Sequence, residues 1–194
     1  KKNKTKKHRR GYMWFLTQEG VDRYDGKYIK HYNFSDDSIK LDSRIALNWL
    51  YMHSGNILWV IGQKGRIFRY DSQHDKFELA YVHPELIRNK PQAFLNYGYL
   101  DKSDRIWLCY KDSITWYDIR TGTTLHMPTP VNGEITAIEQ TDDNHFFIGT
   151  GSGLFHARIE KGKLNIMPDK MMEGIGTSVH ELYYHAVSKQ LFVG

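Results

Sequence analysis

Histidines beside acids, glycine-rich turns and clustered aspartates are the groups in this 194-residue chain that could do chemistry. His180-Glu181-Leu182-Tyr183-Tyr184-His185 has the residues of a zinc-protease helix, where two histidines four apart share a helical face and a glutamate serves as base. Here the histidines are five apart, and the segment reads as a strand, on which positions 180 and 185 face opposite ways. Gly149-Thr150-Gly151-Ser152-Gly153 has the glycines of a phosphate loop. The run behind it reads as a strand, which removes the helix N-terminus that would hold the anion, so a tight hairpin is expected. Asp142-Asp143-Asn144 lacks the carboxylate spacing of a calcium loop and reads as a solvated turn. Cys109 is the one cysteine, which excludes an internal disulfide and a cysteine-based zinc site. Between Leu108 and Tyr110 it reads as a buried thiol. A lyase reaction would need a histidine base beside an acid. His126, His156 and His180 are present, and nothing in the sequence pairs one of them with a carboxylate. The chain is therefore read as a non-enzyme without cofactor or metal.

The elements that would position any site are repeats. Gly11 to Gly26 reads as a hairpin: an apolar run around Trp14, a polar turn closed by Gly20, and a second run ending in Tyr24-Asp25. Trp14 recurs as Trp59, Trp107, Phe147 and Phe192, at intervals of 45, 48, 40 and 45 residues. Gly20, Gly65, Ser113 and Gly153 follow the first four anchors by six positions, where a turn is needed. Tyr24-Asp25 recurs as Tyr70-Asp71 and Tyr117-Asp118, whereas the fourth copy has Ala157-Arg158. The second copy carries one extra residue before its tyrosine, which predicts a bulge. Third strands are expected over 28–33, 76–81, 123–127 and 163–167, and strands preceding each next anchor over 45–51, 93–100, 135–140 and 179–185. Residues 85–90 and 168–173 could each make one helical turn in the connections.

Four short strands per unit of about 45 residues match the blade of a β-propeller. The fold class expected is all-β, with four-stranded antiparallel blades over 11–194 forming an incomplete part of a larger propeller. Near-continuous apolar runs such as Ile57 to Ile61 fit sheets covered on both faces. Trp14, Trp59, Trp107, Phe147, Tyr24, Tyr70 and Tyr117 are then packing anchors between blades.

Composition agrees with a packed β domain: 40% hydrophobic and 25% charged, with 14% aromatic residues favouring strands. No apolar run approaches the roughly 18 residues of a spanning helix, and no secretory leader is recognisable. The net charge of +5 is concentrated in residues 1–10, which hold seven basic side chains and no acid. Without them, 20 basic side chains stand against 22 acidic ones. Residues 1–10 are read as a basic disordered arm or cloning remnant, with no nucleic-acid partner expected.

The pattern Gly-x-x-Trp-x-x-Thr, then Gly, then Tyr-Asp-Gly over Gly11 to Gly26 resembles the propeller repeats of bacterial hybrid two-component sensors. The resemblance implies the periplasmic part of an inner-membrane histidine kinase that binds oligosaccharides from glycan breakdown. It further implies, as partners, the remaining blades, an immunoglobulin-like domain and signalling domains; a homodimer is also among the partners considered. Related repeats occur in streptogramin lyases, so a lyase-like enzyme and a protein-interaction scaffold stand as alternatives. Function on propellers sits on loops over a rigid scaffold. Ligand-binding candidates are therefore the hairpin tips Gln18, Gln63, Lys64 and Lys111, with Arg44 and Gln92 leading into inner strands. Acidic glycans would engage Arg44, Lys64 and Lys111.

Overall fold

The computed structural model describes residues 5–7, 11–34, 47–53, 57–62, 64–84, 94–129, 131, 133–168 and 178–194. It divides into two compact units, residues 1–94 and 95–194. Among the described residues no helix is long and apolar enough to cross a membrane.

The first unit holds two antiparallel sheets, each in simple sequential order. One comprises β1 (Thr5–Lys7), β2 (Met13–Leu16), β3 (Gly20–Tyr24) and β4 (Ile29–Asn33). The other comprises β5 (Leu47–Met52), β6 (Leu58–Gly62), β7 (Ile67–Asp71) and β8 (Lys76–Tyr81). Strand β1 corrects the reading of the basic N-terminus as a disordered arm. Thr5, Lys6 and Lys7 pair with Phe15, Trp14 and Met13, making the lysine-rich segment the innermost strand of the first sheet. Pairing to a buried neighbour outweighs the poor strand preference of lysine. The bulge expected in the second copy is corrected as well. Trp59 faces Arg69 as Trp14 faces Arg23, so the extra residue lies in the β6–β7 turn. The register shift found there belongs to β8, where Ala80 is passed over between the pairs Ile67–Tyr81 and Phe68–Leu79.

The second unit holds β9 (Tyr97–Leu100), β10 (Arg105–Cys109), β11 (Ser113–Asp118) and β12 (Thr124–Pro128) in one sheet. A second sheet holds β13 (Ile135–Gln140), β14 (His145–Thr150), β15 (Gly153–Glu160) and β16 (Lys163–Pro168). A two-stranded sheet follows, β17 (Leu182–His185) with β18 (Gln190–Val193). The fold is all-β, a set of four-stranded antiparallel blades in an incomplete propeller.

Cores lie in the seams between neighbouring sheets. In the first unit Trp14 is wholly buried against Tyr70 and Phe77, with ring centroids 4.7 and 5.9 Å away, and Phe34 meets Phe68 at 4.9 Å. In the second, Trp107 packs on Trp116 of its own sheet at 5.1 Å and on Phe146 of the next at 4.8 Å. Ala137, Leu154, Val179 and Leu182 bury the face between β13–β16 and β17–β18, with Phe147 and Leu191 against them. Every residue of β6 is buried, as expected for a strand covered on both faces, whereas β4 and β12 are largely exposed. Of the anchors, Trp14, Trp59, Trp107 and Tyr117 are buried and Tyr70 fills a seam. Tyr24 instead donates to the Gly26 carbonyl oxygen of its own turn at 2.8 Å.

Candidate functional site

In a four-stranded meander the second turn and the entry and exit of the chain share one end of the sheet, while the first and third turns share the other. The two ends differ chemically here.

At the far end the aspartates build turns. The Tyr-Asp carboxylates accept backbone N–H groups two or three residues on: Asp25 from Lys27 and Tyr28, Asp71 from Gln73, Asp118 from Arg120 and Thr121. Asp142 does the same with Asn144 and His145, in line with the expected solvated turn. Asp101 is fully enclosed. It accepts Arg105 Nε at 2.7 Å, Trp107 Nε1 at 2.8 Å and the N–H groups of Ser103 and Arg105, leaving its oxygens no capacity for a ligand.

The first unit has a polar cluster at this far end that sequence reasoning missed. Asp75, in the β7–β8 turn, takes Arg23 at 2.7 Å, Lys30 at 2.5 Å, Tyr32 at 2.6 Å and Tyr70 at 2.5 Å. Arg23 also lies over the Tyr12 ring, 4.7 Å from its centroid. Burial alone would raise the Asp75 carboxyl, yet the hydrogen bonds from Lys30, Tyr32, Tyr70 and Arg23 hold it well below the usual carboxylate range. The arrangement clasps two sheets through one carboxylate. In sequence, Asp75 is one polar residue among several in Asp71 to Lys76, with nothing to mark it.

The loop end carries the ligand candidates. Gln18 tops the β2–β3 hairpin, exposed, above a turn locked by Thr17. Thr17 Oγ1 donates to the Gly20 carbonyl oxygen and accepts the Gly20 N–H, both at 3.1 Å. Thr150 repeats this device, donating to the Gly153 carbonyl oxygen at 3.1 Å, so Gly149 to Gly153 is the tight hairpin expected. Lys64 is half-buried in the β6–β7 turn beside Gly65, whose φ of 78° requires glycine. Lys111 is exposed at the β10–β11 tip. Gln18 and Lys64 lie in the first unit and Lys111 in the second, and among the described residues none of the three makes a hydrogen bond or ion pair. Arg44, Gln63 and Gln92 lie outside the described residues. Phe94, leading into β9 from this end, is 56% exposed and is an aromatic surface the sequence reading passed over.

The histidines considered as bases hold other partners. His126 Nδ1 meets Thr115 Oγ1 at 2.8 Å, the His156 ring packs tilted against Phe147 with centroids 4.4 Å apart, and His180 Nε2 meets Ser178 Oγ at 2.6 Å. Burial pushes the Cys109 thiol far up, away from thiolate chemistry. Among the described residues no group of three histidine, cysteine or acidic side chains could hold a metal ion.

Solved structures share this fold. The fold is a β-propeller. A TM-score of 0.67 at 18% identity relates 98% of the chain to 30% of the extracellular domain of BT3049, assigned to a hybrid two component system of B. thetaiotaomicron. The extracellular domain of BT4673 from the same organism matches 94% of the chain with 24% of its own length, at TM-score 0.67 and 16% identity. Virginiamycin B lyase from Staphylococcus aureus aligns over 97% of the chain and 61% of its own length, at TM-score 0.69 and 16% identity. This propeller thus spans less than a third of the two extracellular domains. No protein-family model matches the sequence, and no curated protein does.

Proposed function

We propose that this propeller is part of the periplasmic sensor region of a hybrid two-component receptor, and that its blade loops bind oligosaccharides released in glycan breakdown. Further blades and signalling domains of the same protein then relay binding to a histidine kinase. The observation that carries this reading is the likeness of 98% of the chain to the BT3049 extracellular domain. The division of chemistry between the two ends supports it. Far-end acids are consumed by turns and clasps, while loop-end Gln18, Lys64 and Lys111 keep their hydrogen-bonding capacity and Phe94 offers an aromatic face for a sugar ring.

Thermal unfolding against a panel of neutral and acidic glycan fragments tests the reading. A fragment present at about a hundred times its Kd raises Tm by about 5 °C or more. Phe94→Ala and Lys111→Ala each reduce that rise. A panel that leaves Tm unmoved while a protein partner co-purifies points to an interaction scaffold instead. The likeness to virginiamycin B lyase supports a second reading, a lyase acting on virginiamycin B. Mass spectrometry of virginiamycin B incubated with the protein decides it: conversion is expected from a lyase and none from a sensor.

A further inference from the structure

The turn between β6 and β7 departs from those of the other blades at one residue. Three ladder pairs beyond the anchors Trp14, Trp107 and Phe147, toward the loop end, stand Gly20, Ser113 and Gly153, opposite Thr17, Tyr110 and Thr150. Three pairs beyond Trp59 stands Arg66, whose carbonyl oxygen accepts the Gly62 N–H at 2.9 Å. The extra residue of the second copy therefore puts an arginine where the other blades have glycine or serine. In the first blade that position has no room even for a Cβ, which would lie 2.1 Å from the Tyr32 carbonyl oxygen.

Arg66 is 5% exposed, and among the described residues no other arginine or lysine is buried. Two residues before Phe68, it shares the face on which Phe68 packs against Phe34 at 4.9 Å, at the loop end of that seam. Its Nε is enclosed with no hydrogen-bond acceptor, and among the described residues the guanidinium has no ion pair or ring contact either. The partly enclosed arginines of the molecule are neutralised: Arg105 meets Asp101 and Arg23 meets Asp75, each at 2.7 Å. Arginine is almost never buried without a partner, because taking an unpaired charge out of water is costly. Lys64, half-buried in the same turn, likewise has no ion pair among the described residues. Two positive charges thus stand at one loop-end turn without an anion of the chain on either.

We propose that Arg66 takes a carboxylate of the ligand, so that the sugar read at this turn is a uronic acid. That ligand is a sugar rests on the sensor reading above; that Arg66 needs an anion does not. A carboxylate is planar, carries one charge and matches the guanidinium fork with two parallel N–H···O bonds. A sulfate ester would bring a third oxygen to be buried without a donor, and a neutral hydroxyl would leave the guanidinium charge unmatched. Lys64 adds a second, less directional attraction beside it. The free protein carries the cost of the unpaired charge, and binding removes it.

Galacturonate and glucuronate oligosaccharides, set against the same fragments with their carboxyls reduced to alcohols, test the assignment. Affinities are read from the dependence of Tm on fragment concentration. The natural chain is expected to bind the acidic fragments about tenfold more tightly than the reduced ones. Arg66→Met is expected to bind both forms alike. It is also expected to raise the Tm of the ligand-free protein by about 2–4 °C, since an apolar side chain replaces an unpaired buried charge. A lowered Tm in Arg66→Met, or its failure to fold, would show that the chain itself holds the guanidinium and would overturn the proposal. Acidic and reduced fragments that bind the natural chain equally would overturn it too, while leaving glycan sensing intact. Binding of neither form of any fragment would overturn the sensor reading and the uronic acid with it.

Discussion

Asp75 adopts a φ of 52°, in the left-handed region that side chains avoid, and from there it reaches two basic groups and two phenols. Its carboxyl titrates below the ordinary 3.8, so the stabilisation is complete above about pH 4 and is lost as pH falls through the folded value. With the side chain 37% exposed, solvent screening limits the effect. Asp75→Asn is expected to cost about 1–2 kcal/mol in urea unfolding at pH 7 and to flatten the stability profile below pH 4. An unaltered acid profile would remove the clasp as a stabilising device. Gly20 is constrained by space: a Cβ there would lie 2.1 Å from the Tyr32 carbonyl oxygen. Gly20→Ala is predicted to cost about 3 kcal/mol by the same assay. Gly162 offers the contrast, at φ 75° with open space around a Cβ, and its alanine variant is expected to cost about 1 kcal/mol.

At the scale of the strand, each described entry to β5, β9, β13 and β17 departs from regular pairing at a matching place. Registers shift after Leu47 and after Ile135, the Asn96 N–H joins Tyr97 opposite Cys109, and His180 and Glu181 both donate to the Gly194 carbonyl oxygen. Such bulges turn the incoming chain onto the sheet. They were illegible in the sequence because a one-residue slip is set by how the connection closes, not by residue type. The hairpins were legible, since Trp14, Trp59, Trp107 and Phe147 with their trailing glycines repeat at nearly fixed spacing. So were the aspartate turns. The ligand candidates were less so: Gln18, Lys64 and Lys111 lie on hairpin turns as expected, but polar residues on a turn carry no mark of convergence. Strand β1 was missed because its lysines argue for a tail, whereas Lys6 pairs with Trp14 in the ladder of β1 and β2. Deleting residues 1–10 is therefore predicted to lower stability by about 2 kcal/mol, measured by thermal unfolding. A disordered arm would leave Tm unchanged.

For the molecule as a whole, the relevant fact is that each unit owns its seams. The first is sealed by Trp14, Tyr32, Phe34, Phe68 and the Asp75 clasp, the second by Trp107, Phe146, Ile148 and their neighbours. Repeat folds distribute stability as local terms plus nearest-neighbour interfaces, so damage is expected to stay near its source. Phe146→Ala empties a fully buried site and should cost about 3–5 kcal/mol. Hydrogen exchange read by mass spectrometry is predicted to show faster exchange in β9 to β16, with Gln140 and its neighbours leading, while β2 to β8 keep their protection. Asp75→Asn is predicted to give the mirror image, speeding exchange across β3, β4, β7 and β8. Were both variants to accelerate exchange uniformly over all strands, the chain would open as one cooperative body and the separate seams would not be its units of stability. Localised exchange instead would let the ligand proposed above tighten one seam without remaking the rest, the mechanical property the proposed sensor role requires.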